Sequence, residues 1–493
     1  MGIERVYSCA GNVSDLTPAL SLRKRGRSCF TNGFSPYAAR DDLTPSSSHK
    51  LGEAGMGNSS TYAGTGKHIF VHVFGCRSSL CEGEYIAGAL SSRGASITED
   101  LSGKIDGAVI VTCSVTHEAD RKCRQLVRRV RRILGDSGVL AVCGCWSQSL
   151  PSQAAQELGI DILAGSKGKN ILPESLLDMI THGRRFIDLR TQDIFSPSDW
   201  EELSIASPVM HSRAFIKIQD GCNHFCTYCI IPYLRGRPVS RPRESIIAEI
   251  RRLINNGSHE VVLTGIHLGI YGQDTNTSLA ELIRDVSRID GLTRLRMGSL
   301  EPFCLSDELL DALSECRAFC PHLHLPLQSG DDEVLSRMRR GYSAAEFVRV
   351  CEKARRVLGD DLHISSDILV GFPGESEHAF TNTLQVMRSA GFGRVHVFPY
   401  SERRGTLAAE MPDKVSHAEK ISRTSRAISL GQELYRDYMS KFIGKDVEIL
   451  LETGRKGHTR HYIDAECDGH DNEIVKAVIT GVKDGRFECV RRD

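Results

Sequence analysis

Cys222, Cys226 and Cys229 stand in the run DGCNHFCTYCIIPYLRG at 220–236 with the spacing C-x3-C-x2-C. Three thiolates on one short loop can hold three irons of a [4Fe–4S] cluster and leave the fourth iron open to another ligand. A structural zinc site would ask for a fourth ligand at tetrahedral geometry, usually from paired C-x2-C units. His224 sits inside the loop, between the cysteines, and is badly placed to supply it. A second set is Cys76, Cys113 and Cys145, each just past the end of an apolar run (FGC, VTCSVT, CGCWSQ). On the residues alone two readings of this set stand. Three sulfurs converge on one point, again leaving an iron open, or three thiols pack as small hydrophobes. Plain packing is the reading for Cys304, Cys316, Cys320, Cys351, Cys467 and Cys489.

Each cysteine needs an element to hold it. HIFVHVFG (68–75), AVIV (108–111) and VLAVCG (139–144) read as strands, with helices at Leu80–Ser92 and His117–Leu134 between them. That order predicts a parallel sheet with helical crossovers. Such sheets gather functional groups at the carboxyl ends of their strands, where all three cysteines lie. Residues 191–210 read as a Pro- and Ser-bearing linker. A second series follows: FIKIQ (215–219), EVVLTG (260–265), RLRMGS (294–299), HLHLPL (322–327), HISSDILVG (363–371) and RVHVFPY (394–400). Six βα units predict a partial barrel with its site at the C-terminal strand ends. From about Ile443 the runs DVEILLE, HTRHYIDAEC, EIVKAVITGV and RFECVR predict a small all-β barrel. The fold class is α/β: a parallel α/β domain over 67–190, a partial (βα)6 barrel over 211–439 and a small β barrel over 440–493.

Composition narrows the class. The chain has 493 residues, 62 basic and 62 acidic, with 40% apolar and 6% aromatic residues, which excludes collagen-like, coiled-coil and wholly disordered proteins. No apolar run approaches a membrane span. Seventeen cysteines without a secretory signal point to a reduced, cytoplasmic protein rather than a disulfide scaffold. Residues 1–66 differ: Ser, Gly and Pro make up 22 positions and Leu, Ile, Val and Phe only 10, too few for a core. They read as a disordered or mis-started extension, with Met56 a candidate start.

The cysteine loop at 220–236 resembles the radical S-adenosylmethionine (SAM) superfamily. The resemblance implies that SAM binds the open iron and is cleaved to a 5′-deoxyadenosyl radical. It further implies that Tyr228 packs near the adenine, Glu301 in GSLEP hydrogen-bonds the ribose, and Gly371 in DILVGFPGE (367–375) lies along the adenine. With the strand-end cysteines, residues 68–493 resemble the methylthiotransferases throughout. These carry a methylthiotransferase domain with an auxiliary [4Fe–4S] cluster, a radical SAM domain and a TRAM domain. The resemblance thus implies two clusters, on Cys76, Cys113 and Cys145 and on Cys222, Cys226 and Cys229, and transfer of a methylthio group to a substrate carbon. Ser79 stands where the family usually has Asn, and Cys81, Cys123 and Cys143 are additional thiols. Cys143, two residues before Cys145, is expected to face the same side of its strand; Cys145 is preferred because GCWSQ matches the family's Gly-Cys-x-x-Gln.

QDGCNHFCTYCIIPYLRGR and VVLTGIHLGIYGQD (261–274) resemble the branch acting on N6-threonylcarbamoyladenosine at position 37 of tRNA. The alternatives are the isopentenyladenosine branch, the ribosomal-protein aspartate branch and, from another class, an RNA-binding protein with a structural metal. The implied partners are the tRNA anticodon loop and an electron donor such as flavodoxin or ferredoxin, with no membrane, for a monomer or weak dimer. Two arginine groups bear on RNA: the helix at 121–132, which carries seven basic residues and no acid, and Arg235, Arg237, Arg241 and Arg243 beside the cysteine loop. The 440–493 tail holds 10 basic and 11 acidic residues, and its GHTRHY departs from the family's Gly-Tyr-Thr.

Overall fold

The computed structural model describes residues 66–190, 193–196, 199–205, 208 and 212–492. The expectation for the N-terminal extension, and part of that for the linker, lie outside the described residues.

The first layer is a six-stranded sheet of β1 (His68–Val73), β2 (Ser96–Thr98), β3 (Gly107–Thr112), β4 (Val139–Gly144), β5 (Ile162–Leu163) and β6 (Ile187–Asp188). The order is β2-β1-β3-β4-β5-β6 and every pairing is parallel. β3 and β4 are buried along their whole length, which is why they read as unbroken apolar runs. Helices α1 (Arg77–Ser91) and α2 (His117–Leu134) follow β1 and β3, and α3 (Cys145–Ser149), α4 (Ser152–Glu157) and α5 (Leu172–His182) follow β4 and β5. α1 and α5 bury Ile86, Leu90, Leu172 and Leu176 on one face of the sheet. α2 buries Val127, Val130 and Leu134 on the other. Thr116 caps α2 by accepting from Ala119 N at 3.1 Å, and Gly135 ends it at φ +58°.

The second layer contains β7 (Ala214–Asp220), β8 (Val239–Ser240), β9 (Glu260–Gly265), β10 (Arg294–Met297), β11 (His322–His324), β12 (His363–Val370) and β13 (Arg394–Pro399), with the short helix α6 (Ile231–Arg235) after β7. Six of these strands are the expected parallel series; the two-residue β8 adds an antiparallel pairing to β7. The ladder runs β10-β9-β7 and β11-β12-β13, joined by single parallel bridges Leu295–Phe319 and Ser299–His324. Alternation sorts the side chains. Ile216, Ile218, Leu263, Leu295, Leu323 and Ile364 pack under the outer helices in one core. The alternate positions, among them Lys217, Arg296, His324, Ser365, Asp367 and His396, face the lumen, which is therefore polar. α1 lies across the open side of the barrel, where Leu80 and Cys81 pack on Phe215 and Val262.

At the C-terminus β14 (Asp446–Thr453), β15 (Lys456–Thr459), β16 (Asp464–Glu466), β17 (Ile474–Lys483) and β18 (Arg486–Arg491) close a barrel in the order β14-β15-β16-β18-β17. The expected strand HTRHYIDAEC is broken in two, because Thr459 Oγ1 accepts from Ile463 N at 3.2 Å and Tyr462 turns to φ +60°. That turn docks at the N-terminal ends of the lumen strands. Arg460 donates to Phe319 O at 2.8 Å, and His363 Nδ1 lies 2.6 Å from His461 O. The Tyr462 ring lies under the guanidinium groups of Arg77, Arg213 and Arg296, at 5.3, 5.5 and 4.9 Å. Among the described residues no helix is long and apolar enough to cross a membrane.

Candidate iron–sulfur and SAM site

After β7 the chain turns at Gly221, φ +75°, where a Cβ would come within 2.0 Å of Arg237 O; only glycine fits. Backbone bonds then pin the cysteine loop: Cys222 N to Gly236 O at 3.1 Å, Thr227 N to Met338 O at 3.1 Å, and Cys229 N to Cys226 O at 2.9 Å. The three thiols differ. Burial pushes Cys222 up to about 11 and Cys229 to about 12. Burial also raises Cys226, but the His224 hydrogen bond and the Arg340 guanidinium, whose Nη1 lies 3.3 Å from the sulfur, outweigh it and bring Cys226 below its ordinary value. A metal ligand must be a thiolate, so this cationic setting suits ligation.

Arg340 gathers the other expected residues. It is 1% exposed and reaches Tyr228 Oη at 3.5 Å and Glu301 Oε1 at 3.2 Å. Glu301 is thereby brought to the cysteine loop, beside Tyr228. Glu301 is engaged by Arg340, which leaves only its remaining lone pairs for a ribose hydroxyl. Gly371 joins the group indirectly: Leu369 and Phe372 pack in the same cluster as Tyr228, while Gly371 N donates to the Glu375 carboxylate. Cys304, expected as plain packing, instead lies 3.8 Å from His267 Nε2, and His267 Nδ1 is 3.8 Å from Cys222 Sγ.

The other three cysteines sit just past the ends of three adjacent strands, β1, β3 and β4. Cys76 precedes α1 as its N-cap, Cys113 directly follows β3, and Cys145 opens α3 after β4. Burial raises the Cys113 thiol, and the neighbouring Cys145 and Cys76 add to it, so the three share one neighbourhood. The expectation for Cys143 is corrected. Gly144 at φ +105° breaks the strand alternation, and Cys143 packs in the core with Val139 and Ala141 instead of beside Cys145. Cys81 also packs in a core cluster, and Cys123 Sγ donates to Cys113 O at 3.6 Å.

A buried ionic network joins the two sets. Glu82 of α1 is fully buried and pairs with Arg235 at 2.5 Å, Lys217 at 3.0 Å and Lys169 at 3.4 Å. Asp220 closes it, 2.9 Å from Lys217 and 3.2 Å from Arg235. These three cations hold the Glu82 carboxyl well below the usual range despite its burial. Arg235 Nε also donates to Cys145 Sγ at 3.3 Å. Sequence reasoning singled out Arg235 but not Glu82, Lys169, Lys217 or Arg340. Of its companions, Arg241 pairs with Glu249 and Glu202, and Arg243 with Asp285, so both serve the local fold.

Among the described residues no three His, Cys, Asp or Glu side chains close around a single metal ion.

Residues 216–387 match the Radical SAM superfamily, and residues 68–165 match the Uncharacterized protein family UPF0004. The threonylcarbamoyladenosine tRNA methylthiotransferase MtaB of Bacillus subtilis (strain 168) is 36% identical over 421 residues, 83% of this chain and 92% of that protein. The chain belongs to the radical SAM methylthiotransferase family. The tRNA-2-methylthio-N(6)-dimethylallyladenosine synthase of Syntrophotalea carbinolica is 33% identical over 399 residues, covering 80% of this chain and 90% of that one. Among solved structures, the radical SAM methyltransferase TsrM of Kitasatospora setae, with cobalamin and a [4Fe-4S] cluster bound, superposes with a TM-score of 0.50 at 14% identity, covering 70% of this chain and 77% of that one; the likeness is one of fold. A radical SAM methylthiotransferase uses SAM and [4Fe–4S] chemistry, which the thiol-rich, cation-flanked loop at 222–229 fits.

Proposed function

We propose that this methylthiotransferase transfers a methylthio group to C2 of N6-threonylcarbamoyladenosine at position 37 of tRNA. It would use two [4Fe–4S] clusters, one on Cys222, Cys226 and Cys229 and one on Cys76, Cys113 and Cys145. The observation that supports the reading is Arg235: it ends the helix behind the first loop and donates to a cysteine of the second set, so one buried side chain links the two. Its domains would be 67–190, 211–439 and 440–493, and an external donor such as flavodoxin or ferredoxin would supply electrons in the cytoplasm.

When bound, the cofactor supplies a 5′-deoxyadenosyl radical, the hard chemistry that side chains cannot. The chain's own residues orient and shield. Arg340 fixes Glu301 and Tyr228 where SAM would lie. Arg235 and Lys217 neutralise Glu82 and Asp220 in the dry contact between the domains. In the lumen His324 Nε2 lies 3.2 Å from Asp367 Oδ2 and its Nδ1 lies 2.9 Å from Ser365 Oγ, a polar wall able to hydrogen-bond a base. The threonylcarbamoyladenosine reading stands first because the relative so named from Bacillus subtilis shares 36% identity. The isopentenyladenosine reading stands second because relatives so named share 33% identity.

Nucleoside mass spectrometry of tRNA from a deletion strain tests the substrate: loss of 2-methylthio-N6-threonylcarbamoyladenosine is expected, and its persistence overturns the choice. Cys222→Ala is expected to abolish 5′-deoxyadenosine formation. Cys145→Ala is expected to keep that cleavage, lose methylthio transfer and lower iron by about four per chain.

A further inference from the structure

α2 carries a cationic stripe that the fold leaves without a partner. Its buried positions are Cys123, Val127, Val130 and Leu134, which leaves Arg124, Arg128 and Arg132 exposed. These three are spaced by four residues, one above another, with a rise of about 6 Å at each step. Neighbouring cations behave differently: Arg121 pairs with Glu118 at 2.5 Å and Arg131 with Asp161 at 2.9 Å. Among the described residues no carboxylate pairs with Arg124, Arg128 or Arg132; Arg132 Nε only turns back to Arg128 O at 3.4 Å. Like charges four apart on a helix repel, by a few tenths of a kcal/mol for each pair. The stripe therefore adds nothing to the stability of the free chain.

The stripe also has a shape and a place. Arg124, Arg128 and Arg132 form one wall of a groove whose other wall includes Ala154 and Leu158 of the following segment. Glu157 contributes a carboxylate there, and it is already engaged by Gln153 at 3.1 Å. α2 starts four residues after Cys113, and Asp120 in its first turn is tied to Arg403 of the barrel domain at 2.8 Å. The stripe thus runs from about 10 to about 22 Å along the helix, outward from the cysteine end.

We propose that Arg124, Arg128 and Arg132 form the docking surface for backbone phosphates of the anticodon stem, while the target base enters the lumen. This rests on tRNA being the substrate, and its test is independent of the modification formed. Full-length holoenzyme and its R124Q/R128Q/R132Q variant are titrated with unmodified tRNA transcript across a salt series. The slope of log K against log[salt] is expected to become shallower by about 2 to 3, since each phosphate contact contributes roughly 0.7 to 0.9. The R124K/R128K/R132K variant is expected to restore the slope, because phosphate neutralisation needs charge more than geometry. Iron content and RNA-independent 5′-deoxyadenosine formation should match the parent in both variants, which shows that they fold. An unchanged slope and affinity in the glutamine variant overturn the proposal. So does intact tRNA binding with slowed reduction by an acidic flavoprotein, which would assign the stripe to the electron donor. A weakened slope in an enzyme that makes no methylthiolated threonylcarbamoyladenosine keeps the docking surface and sinks the substrate reading.

Discussion

Arg235 Nε donates a hydrogen bond to Cys145 Sγ at 3.3 Å while its two terminal nitrogens hold the Glu82 carboxylate. The residue closes the helix behind Cys222, Cys226 and Cys229, yet its charge acts on the other cysteine set. Hydrogen bonds to cluster sulfurs raise reduction potentials. In a C222A/C226A/C229A background, which isolates the second set, Arg235→Lys is expected to shift the midpoint potential of the cluster proposed on Cys76, Cys113 and Cys145 downward. EPR-monitored redox titration reads this directly, and an unmoved midpoint would remove Arg235 from that role.

Arg340 makes the corresponding contact at the 222–229 loop, donating to Cys226 Sγ at 3.3 Å. Lysine in its place keeps a charge but cannot span Cys226, Tyr228 and Glu301 together. Losing hydrogen bonds to charged groups costs about 1.5 to 3 kcal/mol, so Arg340→Lys should raise the KM for SAM by roughly 10- to 100-fold. Measured at saturating SAM, 5′-deoxyadenosine formation should fall far less; an unchanged KM would refute the assignment.

Glu375 predicts a pH dependence of stability. Burial raises its carboxyl from 4.5 to about 7, against the Gly371 N–H and Arg423, which both favour the charge. The folded chain thus holds a proton between pH 4.5 and 7 that the unfolded chain releases. Stability contributed here is present below pH 4.5 and is lost as pH rises through 7. Glu375→Gln should flatten this window and stabilise the protein above pH 7, by at most about 3 kcal/mol. Arg423 keeps Glu377 and Glu419 as partners at 3.4 and 3.8 Å. Denaturant unfolding at pH 5 and pH 8 checks the sign; a variant that tracks the parent at both values contradicts it.

Cys143 offers a sharper check on the ligand set. Because it packs with Val139 and Ala141, Cys143→Ala should keep the full iron content and cost about 1 kcal/mol, the scale of one core atom removed. Loss of about four irons per chain from this variant would exchange its role with that of Cys145.

The strands were legible where apolar runs or period-two alternation extended over five or more residues, as in VLAVCG and HISSDILVG. β2, β5, β6 and β8 are two or three residues long, too short to show a period. The loop cysteines announced themselves by spacing, and the strand-end cysteines by their position after apolar runs. Buried charge was not legible. Glu82 reads as an ordinary surface acid of α1, and Arg340 as the tail of a helix, until distant segments close over them. Alternation in HLHLPL put two histidines on one face without saying that this face is a lumen. The Cys143 expectation failed because alternation holds only within a strand, and Gly144 ends one.

The turn at Tyr462 carries a consequence for biosynthesis. Arg77 and Tyr462 lie near opposite ends of the described chain, and the ring of Tyr462 also receives Arg213 and Arg296. A ribosome makes all three arginines before it makes the ring. Until the last strands emerge, one end of the lumen stands open and its charges are hydrated. Emergence of the segment that carries Tyr462 is therefore the event that seals this end of the interior, and a nascent chain stopped before residue 440 would present an unsealed, aggregation-prone intermediate.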